Sequence, residues 1–348
     1  MCSSPALQIT VVEPASAFVM CPLSNRVLHG GLHLRDITRS YARLVSNNRL
    51  HWVRARADGI EGLGTAAQQA AVPHAWKAGP QTEQLRNMLR ALPDQGVVAI
   101  SIPKVPFRCP PGPYERASLI ADYLSTRKPR AKLLVFDANP EIQAKKGLFE
   151  SVWASRYSKL IEYVPNAELK AVDSVAGTLE FDLQGKVSAQ VMNVIPPQRA
   201  GQIARASGLA NVDQRWCGVD FLSYESTAAK GVYVLGDSIS SAGRPKSGHM
   251  ANQQGKVCAG AIAALTLGQA VPSDPIIANT CYSFISHNEV VHVAAVYRYN
   301  REQRVMAVVP GSSGVSTQPG RSGLRHVLGD QHPQRHAGLK RARLRLSE

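Results

Sequence analysis

The sequence has little that would support a metal centre. Its six cysteines, at positions 2, 21, 109, 217, 258 and 281, are scattered, and no two lie at metal-ligand spacing. Structural zinc sites draw on closely spaced pairs of thiolates or imidazoles, so the pattern argues against zinc. Long apolar runs are also missing. A bilayer-spanning helix needs about 20 apolar residues, and the best run, from Val257 to Gly268, is shorter and reads as a buried helix. No export signal precedes the first strand-like segment, Leu7-Gln8-Ile9-Thr10-Val11-Val12. Acidic residues are few, 25 against 40 basic ones, for a formal net charge of +15. A third of that excess sits in residues 317–348, where seven basic residues face only Asp330 and Glu348. No aromatic residue interleaves that run, which argues against a nucleic-acid-binding surface. Disorder throughout is excluded by a 44% hydrophobic content, and the length suggests about two or three domains.

The remaining pattern is that of an α/β protein. The first strand ends in Glu13-Pro14. An acid at the end of such a strand can accept hydrogen bonds from an adenosine ribose, although a surface glutamate before a turn has the same appearance. A Gly-rich turn should precede it by about 20 residues, and this chain starts too late to hold one. Residues 33–50 read as a helix, His51 to Arg56 as a short strand, and Asp58 to Gly64 as turn chemistry. Gln81 to Leu92 is an amphipathic helix. Gly96 to Pro103 is a continuous apolar run, as in a buried parallel strand. Arg108-Cys109-Pro110-Pro111-Gly112-Pro113-Tyr114-Glu115 follows, then a helix to about Leu124. A second strand, Ala131 to Phe136, ends in Asp137. Prolines in that loop remove the N–H donors that a pyrophosphate would need, so a nicotinamide dinucleotide is not expected there. Cys109 falls at the carboxyl end of a parallel strand, where α/β sheets place ligands.

Short strands are expected at Leu160 to Val164, Leu169 to Val172, Thr178 to Leu183 and Val191 to Ile195. The strongest local signal is Gly231-Val232-Tyr233-Val234-Leu235-Gly236-Asp237, an apolar strand running into Gly-Asp, followed by a helix over residues 248–267. Gly236 allows close approach of a ligand, and Asp237 can accept hydrogen bonds from a sugar or ribityl hydroxyl. Gly-Asp also occurs in plain turns. Val290 to Tyr297 and Val305 to Val309 read as a hairpin. From Thr317 the periodicity is lost, and a disordered basic tail is expected.

Several segments together resemble the flavoprotein subunit of flavocytochrome c sulfide dehydrogenase, within the FAD/NAD(P)-binding disulfide-reductase-like superfamily. They are Ile9 to Pro14, Cys21-Pro22-Leu23-Ser24-Asn25, His74-Ala75-Trp76-Lys77-Ala78-Gly79, the Cys109 motif, Ile195-Pro196-Pro197-Gln198-Arg199-Ala200-Gly201, Pro245-Lys246-Ser247-Gly248 and Asn279-Thr280-Cys281-Tyr282-Ser283. The resemblance implies FAD, attached through a thioether at Cys21. It implies a redox disulfide between Cys109 and Cys281, with Glu115 as the candidate base. Glu13 would bind ribose, Gly236 and Asp237 would contact the flavin nucleotide, and Lys246 would face the flavin pyrimidine edge. Sulfide would be the substrate and a c-type cytochrome subunit the partner, in the periplasm. A thiolate exchange at the disulfide would give a persulfide and pass two electrons to flavin. Cys217 and Cys258 read as small core residues.

The expected architecture is therefore two Rossmann-like domains, the first incomplete. Residues 1–72 and 185–268 would form the FAD-binding domain and residues 73–184 a second Rossmann-like domain without a nicotinamide loop. Residues 269–316 would form a C-terminal α+β interface domain, with the tail at 317–348. Relative to the family, the first strand, its Gly-rich loop and its helix are absent, residues 58–72 are too short for a β meander, and the C-terminal segment differs. Two alternatives to the cytochrome-linked enzyme stand: a sulfide:quinone oxidoreductase-like enzyme, or an inactive remnant that keeps a protein-binding surface.

Overall fold

A computed structural model describes residues 9–13, 15–48, 50–53 and 70–319. Its centre is a four-stranded parallel sheet in the order β11-β5-β6-β7. These strands span Val191–Val194, Val97–Ile102, Lys132–Asp137 and Ile161–Val164. β5 and β11 are apolar along almost their whole length because both faces are covered. One face packs on helices α3 (Pro80–Ala91), α4 (Gly112–Arg127) and α5 (Lys146–Arg156). There Leu85 and Leu89, Ile100 and Ile102, Ile120 and Leu124, and Phe149 and Trp153 form one core. The opposite face is closed by an antiparallel sheet, β10-β9-β8, over Gly185–Ser188, Thr178–Phe181 and Leu169–Asp173. Phe136 stacks on Phe181 across that junction, with ring centroids 4.1 Å apart.

The N-terminal part is sparser. Among the described residues β1 (Thr10–Val12) pairs only with β4 (His51–Val53), in parallel, and β2 (Ala17–Val19) pairs with β3 (Thr38–Ser40). Helix α1 (Ser24–His29) packs on α3 and α4. The helix expected over 33–50 is instead a 3-10 turn at Leu34–Ile37, then β3, then a short α2 at Ala42–Asn48. The Asp36 carboxylate accepts from His33 N at 2.8 Å and the Thr38 hydroxyl donates to Leu34 O at 2.8 Å. These local bonds compete with helix propagation.

Helix α6 (Gln202–Ala206) opens the stretch between β11 and α7 (Gly248–Thr266). The strand expected before Gly236 does not form. Tyr233 makes a single bridge to Glu225, and Val232 and Leu235 stay 38% and 39% exposed. An apolar run with no neighbouring strand to complete a ladder is left as irregular chain. β12 (Ile276–Phe284), β13 (Glu289–Asn300), β14 (Val305–Val308) and β15 (Gly314–Pro319) form the last antiparallel sheet, with both β14 and β15 paired to β13. β15 thus runs into the stretch expected to begin the tail, and residues 320–348 lie outside the described residues, as do the turn at 58–64 and residues 7 and 8 of the first strand. Among the described residues no helix is long and apolar enough to cross a membrane.

Candidate active site

Cys109 sits in the proline-rich loop between β5 and α4. Prolines supply no N–H groups, so the loop is held by the few donors that remain. Arg108 N donates to Gln198 Oε1 at 2.8 Å, Cys109 N to Lys246 O at 2.7 Å, and Gly112 N to Cys109 O at 2.7 Å. Cys109 itself has φ +56°, a left-handed conformation that a residue with a Cβ adopts only when its surroundings impose it. Gly112 explains one feature of the motif. A Cβ there would stand 2.8 Å from the Trp76 ring and 3.1 Å from Cys109 Sγ. Glycine is therefore the residue that lets α4 begin against the thiol.

Residues from three other segments gather with this loop. Glu115, in the first turn of α4, is buried at 4% exposure, and its Oε1 accepts from Phe284 N at 3.2 Å. Burial pushes its carboxyl up to about 7. Cys281 lies in β12, with the Asn279 amide 3.6 Å from its Sγ. Lys145, just ahead of α5 with φ +58°, reaches into the same space. Its Nζ donates to Cys281 O at 3.0 Å, Ser283 Oγ at 2.8 Å and Val291 O at 3.2 Å. Burial brings that ammonium down to about 8, while Cys281, Glu115 and Cys109 oppose the shift. Both thiols are pushed up, first by burial; Cys281 and Glu115 add to the rise at Cys109, and Lys145 offsets it at both. Cys109, Cys281, Glu115 and Lys145 are thus one electrostatic cluster, drawn from four separate segments. Both cysteines stand as free thiols.

Behind the cluster is Arg116, 1% exposed. It donates to Asn25 Oδ1 (3.0 Å), His74 O (2.8 Å), Ala75 O (2.7 Å) and Asn193 Oδ1 (2.9 Å). Its guanidinium also lies 4.9 Å from the Trp76 ring centroid. One side chain therefore ties α1, the segment at 74–76 and β11 to α4. His74 is lowered to about 4 by burial and by Arg116, Arg108 and Lys77, so it is neutral at pH 7, and its Nδ1 accepts from Trp76 N at 2.9 Å. Cys21 opens the 3-10 turn ahead of α1 and donates from Sγ to Trp76 O at 3.3 Å; the Arg108 guanidinium binds the same carbonyl.

The residues expected on the nucleotide side lie elsewhere. Glu13 follows β1 and is half-buried, and its Oε1 accepts from Ala15 N at 2.8 Å. Gly236 has φ +75° and donates to Gln254 Oε1 at 2.7 Å. Asp237 is raised by burial, and its Oδ1 is buried with no hydrogen-bond partner. Lys246 does not extend outward. Its ammonium is bonded to Asp237 O at 3.0 Å and to Ile239 O, and it lies 3.7 Å from the Trp216 ring centroid. Burial brings it down to about 8. Cys217 and Cys258 are both buried within apolar clusters.

FAD fits what these residues leave open. Trp76 Nε1 and Gln198 Nε2, two donors, and Asp237 Oδ1, an acceptor, are all buried without partners. Gln198 accepts from Arg108 N and the Arg108 guanidinium donates to Trp76 O, so two of these three residues are tied to one arginine. Unsatisfied buried polar atoms are costly, and a ligand offering hydroxyls and carbonyls would satisfy both kinds.

Sequence reasoning missed Lys145, Arg116 and Arg108. Lys145 gave no signal, since Lys145-Lys146 looks like a solvated pair and α5 was not legible as a helix. Arg116 had one available clue: a lone arginine inside the apolar stretch Tyr114 to Leu124.

The fold is that of FAD/NAD(P)-binding oxidoreductases. A sulfide:quinone oxidoreductase from the hyperthermophilic bacterium Aquifex aeolicus superposes with a TM-score of 0.73 at 18% identity, over 94% of this chain and 84% of that one. An NAD-dependent persulfide reductase from A. fulgidus gives 0.56 at 13% identity, over 94% and 72%. A reduced CoADR-RHD from Bacillus anthracis gives 0.54 at 10% identity, over 94% and 69%. At these identities the likeness establishes the fold alone. The sequence itself matches two family models. Residues 82–196 match the central part of the sulfide dehydrogenase (flavocytochrome c) flavoprotein chain, and residues 273–332 the flavin-binding part of flavocytochrome c sulphide dehydrogenase. This chain belongs to the flavocytochrome c sulfide dehydrogenase flavoprotein family, and it is a flavoprotein oxidoreductase of the sulfide dehydrogenase type.

Proposed function

We propose that the chain oxidises sulfide through a Cys109–Cys281 disulfide, with FAD as its cofactor and a c-type cytochrome subunit as electron acceptor, in the periplasm. The observation that carries this reading is the meeting of Cys109, Cys281, Glu115 and Lys145 in one buried cluster. In the first step hydrosulfide attacks Cys109 Sγ of the disulfide. The new S–S bond leaves a persulfide on Cys109, the old one breaks, and Cys281 departs as a thiolate. The disulfide gains the electron pair that the sulfide sulfur gives up. Lys145 suits the stabilisation of that thiolate, because its ammonium is anchored on the Cys281 carbonyl. Glu115, raised into the neutral range, suits proton transfer with the incoming sulfur. A second hydrosulfide then takes the outer sulfur from Cys109 as hydrogen disulfide, breaking the persulfide S–S bond and leaving Cys109 as a thiolate. FAD, when bound, would accept the electron pair of the two thiolates, so that the disulfide re-forms.

Glu13, Gly236 and Asp237 are the residues we assign to the nucleotide, Lys246 to orienting the Asp237 segment from behind, and Cys21 to a thioether link. The test is to express the chain, precipitate it with acid and record visible absorption of pellet and supernatant, then titrate the protein anaerobically with sulfide. Flavin in the pellet that bleaches with sulfide is expected, with bleaching lost in Cys109→Ser and flavin moved to the supernatant in Cys21→Ser. Bleaching unchanged in Cys109→Ser would overturn the disulfide route.

A further inference from the structure

Away from the cysteines, the C-terminal ends of α1, α3 and α4 and the β12–β13 turn surround a cleft of about 620 Å³. Arg86 and Arg90 of α3, Tyr123 and Arg127 of α4, His29 of α1 and His287 of the turn line it. Arg127 lies about 18 Å along α4 from Glu115 at 1.5 Å per residue, so this cleft is not part of the redox cluster.

The charge around it is one-sided. None of the three guanidinium groups has a carboxylate partner among the described residues, whereas Arg130 nearby is paired with Asp94 at 2.6 Å. The carboxylate bonded to the lining, Asp122, is already engaged on both oxygens. Oδ2 meets His29 Nε2 at 2.9 Å and accepts from His287 N at 2.8 Å, while Oδ1 accepts from the Tyr157 hydroxyl at 3.1 Å. His29 Nδ1 is buried with no partner. Helix C-termini favour nearby cations, which accounts for part of the pattern. Yet each helix end carries only about half a negative charge against a full positive charge on each guanidinium, so positive charge is left over.

We propose that this cleft binds a polyvalent oxoanion, a phosphate or sulfate group, held by Arg86, Arg90 and Arg127, with His29 donating from Nδ1 as an imidazolium whose Nε2–H stays bonded to Asp122 Oδ2. Guanidinium forks match the oxygens of such groups in pairs. The volume falls in the roughly 300–1,000 Å³ range of small-ligand sites, which leaves room for an oxoanion carried on a larger molecule. Occupancy would tie together the three helices that meet there.

The test is isothermal titration of the full chain with sodium sulfate, sodium pyrophosphate and ADP at fixed ionic strength. FAD is present in excess, so that its own pyrophosphate site is filled. Saturable single-site binding is expected, weakened about tenfold or more in Arg86→Gln/Arg90→Gln and about threefold in His29→Gln. A charge-matched Lys230→Gln/Arg301→Gln variant should bind as the unaltered protein does. ADP binding more tightly than pyrophosphate would assign the group to a nucleotide-like molecule, and equal binding to a free oxoanion. Heat that never saturates, or that persists in the double arginine variant while circular dichroism shows it folded, would overturn the proposal. In that case the arginines only complement helix dipoles, and their removal lowers the melting temperature with no ligand dependence.

Discussion

The half of the molecule built on β5, β6, β7 and β11 and the part around β1, β4 and residues 207–247 differ in how they hold their functional residues. In the first, every sheet face is covered, and Cys109, Glu115 and Lys145 stand at the ends of packed elements. In the second, among the described residues, β1 has one partner, the 232–235 run has a single bridge, and Val12 is 58% exposed. The cluster of Cys109, Cys281, Glu115 and Lys145 is therefore set by protein packing, whereas Glu13 follows a sparsely paired strand, and Gly236 and Asp237 sit on irregular chain held by side-chain bonds from Gln254 and Lys246. Binding of a dinucleotide that touches those segments would stabilise them by mass action.

The largest effect should come from the side chain that fastens the packed half together. Arg116→Ala removes four hydrogen bonds and leaves the Asn25 and Asn193 amides and two backbone carbonyls without their donor. A loss of about 3–5 kcal/mol is expected, as for breaking a buried charge network. Urea unfolding followed by tryptophan fluorescence measures it. A loss below about 1 kcal/mol would mean that the α1 and β11 contacts do not depend on this residue and that the two regions are less different than their packing indicates.

Next in size is the pH response of the cluster. Glu115 is raised from 4.5 to about 7 in the fold, so between those values the folded state binds more protons than the unfolded one, and stability falls as pH rises. Lys145 is lowered from 10.5 to about 8, so between about 8 and 10.5 the folded state holds fewer protons, and stability rises with pH. These two contributions by themselves are smallest between about 7 and 8, each limb worth on the order of 3 kcal/mol, with the two groups titrating as a coupled set. His74, lowered by burial, opposes the acid limb, Lys246 adds to the alkaline one and the raised thiols of Cys109 and Cys281 oppose it, so the difference between variant and unaltered protein is what reports Glu115 and Lys145. Glu115→Gln should flatten the acid limb and Lys145→Met the alkaline one in denaturant midpoints recorded from pH 5 to 10. Parallel curves for both variants and the unaltered protein would remove these two groups from the cluster.

The packed half was also the legible half. Continuous apolar runs at Val97–Ile102 and Lys132–Asp137 and the amphipathic pattern at Gln81 to Leu92 identify themselves, because burial on both faces or on one stripe leaves a periodic trace. Cys109 and Cys281 were singled out through the family motifs around them, since no spacing in one sequence brings residues 109 and 281 together. Lys145 left no trace, because its role depends on β12 lying across the start of α5. Residues 33–50 misread as helix because side-chain bonds from Asp36 and Thr38 close a tight turn that hydrophobic periodicity does not register. The 232–235 run misread as a strand for the converse reason. Its composition is that of a strand, but a strand is a property of a pair, and the partner was not in the pattern being read.

The smallest effects should separate the two contacts assigned to the nucleotide. Asp237 Oδ1 is buried and unpartnered, so a ligand hydroxyl donating to it would gain a hydrogen bond already stripped of water. Glu13 is half-buried and already accepts from Ala15 N, so a ribose would compete with the backbone for it. Asp237→Asn keeps the shape and one acceptor, whereas Asp237→Ala removes both oxygens. FAD affinity, read by quenching of flavin fluorescence, should fall about tenfold or more in Asp237→Ala and about threefold or less in Glu13→Gln, with Asp237→Asn between them. The reverse order would place the stronger contact on β1. The sparsely paired N-terminal strand, and not the Gly236–Asp237 turn, would then be what the dinucleotide orders first.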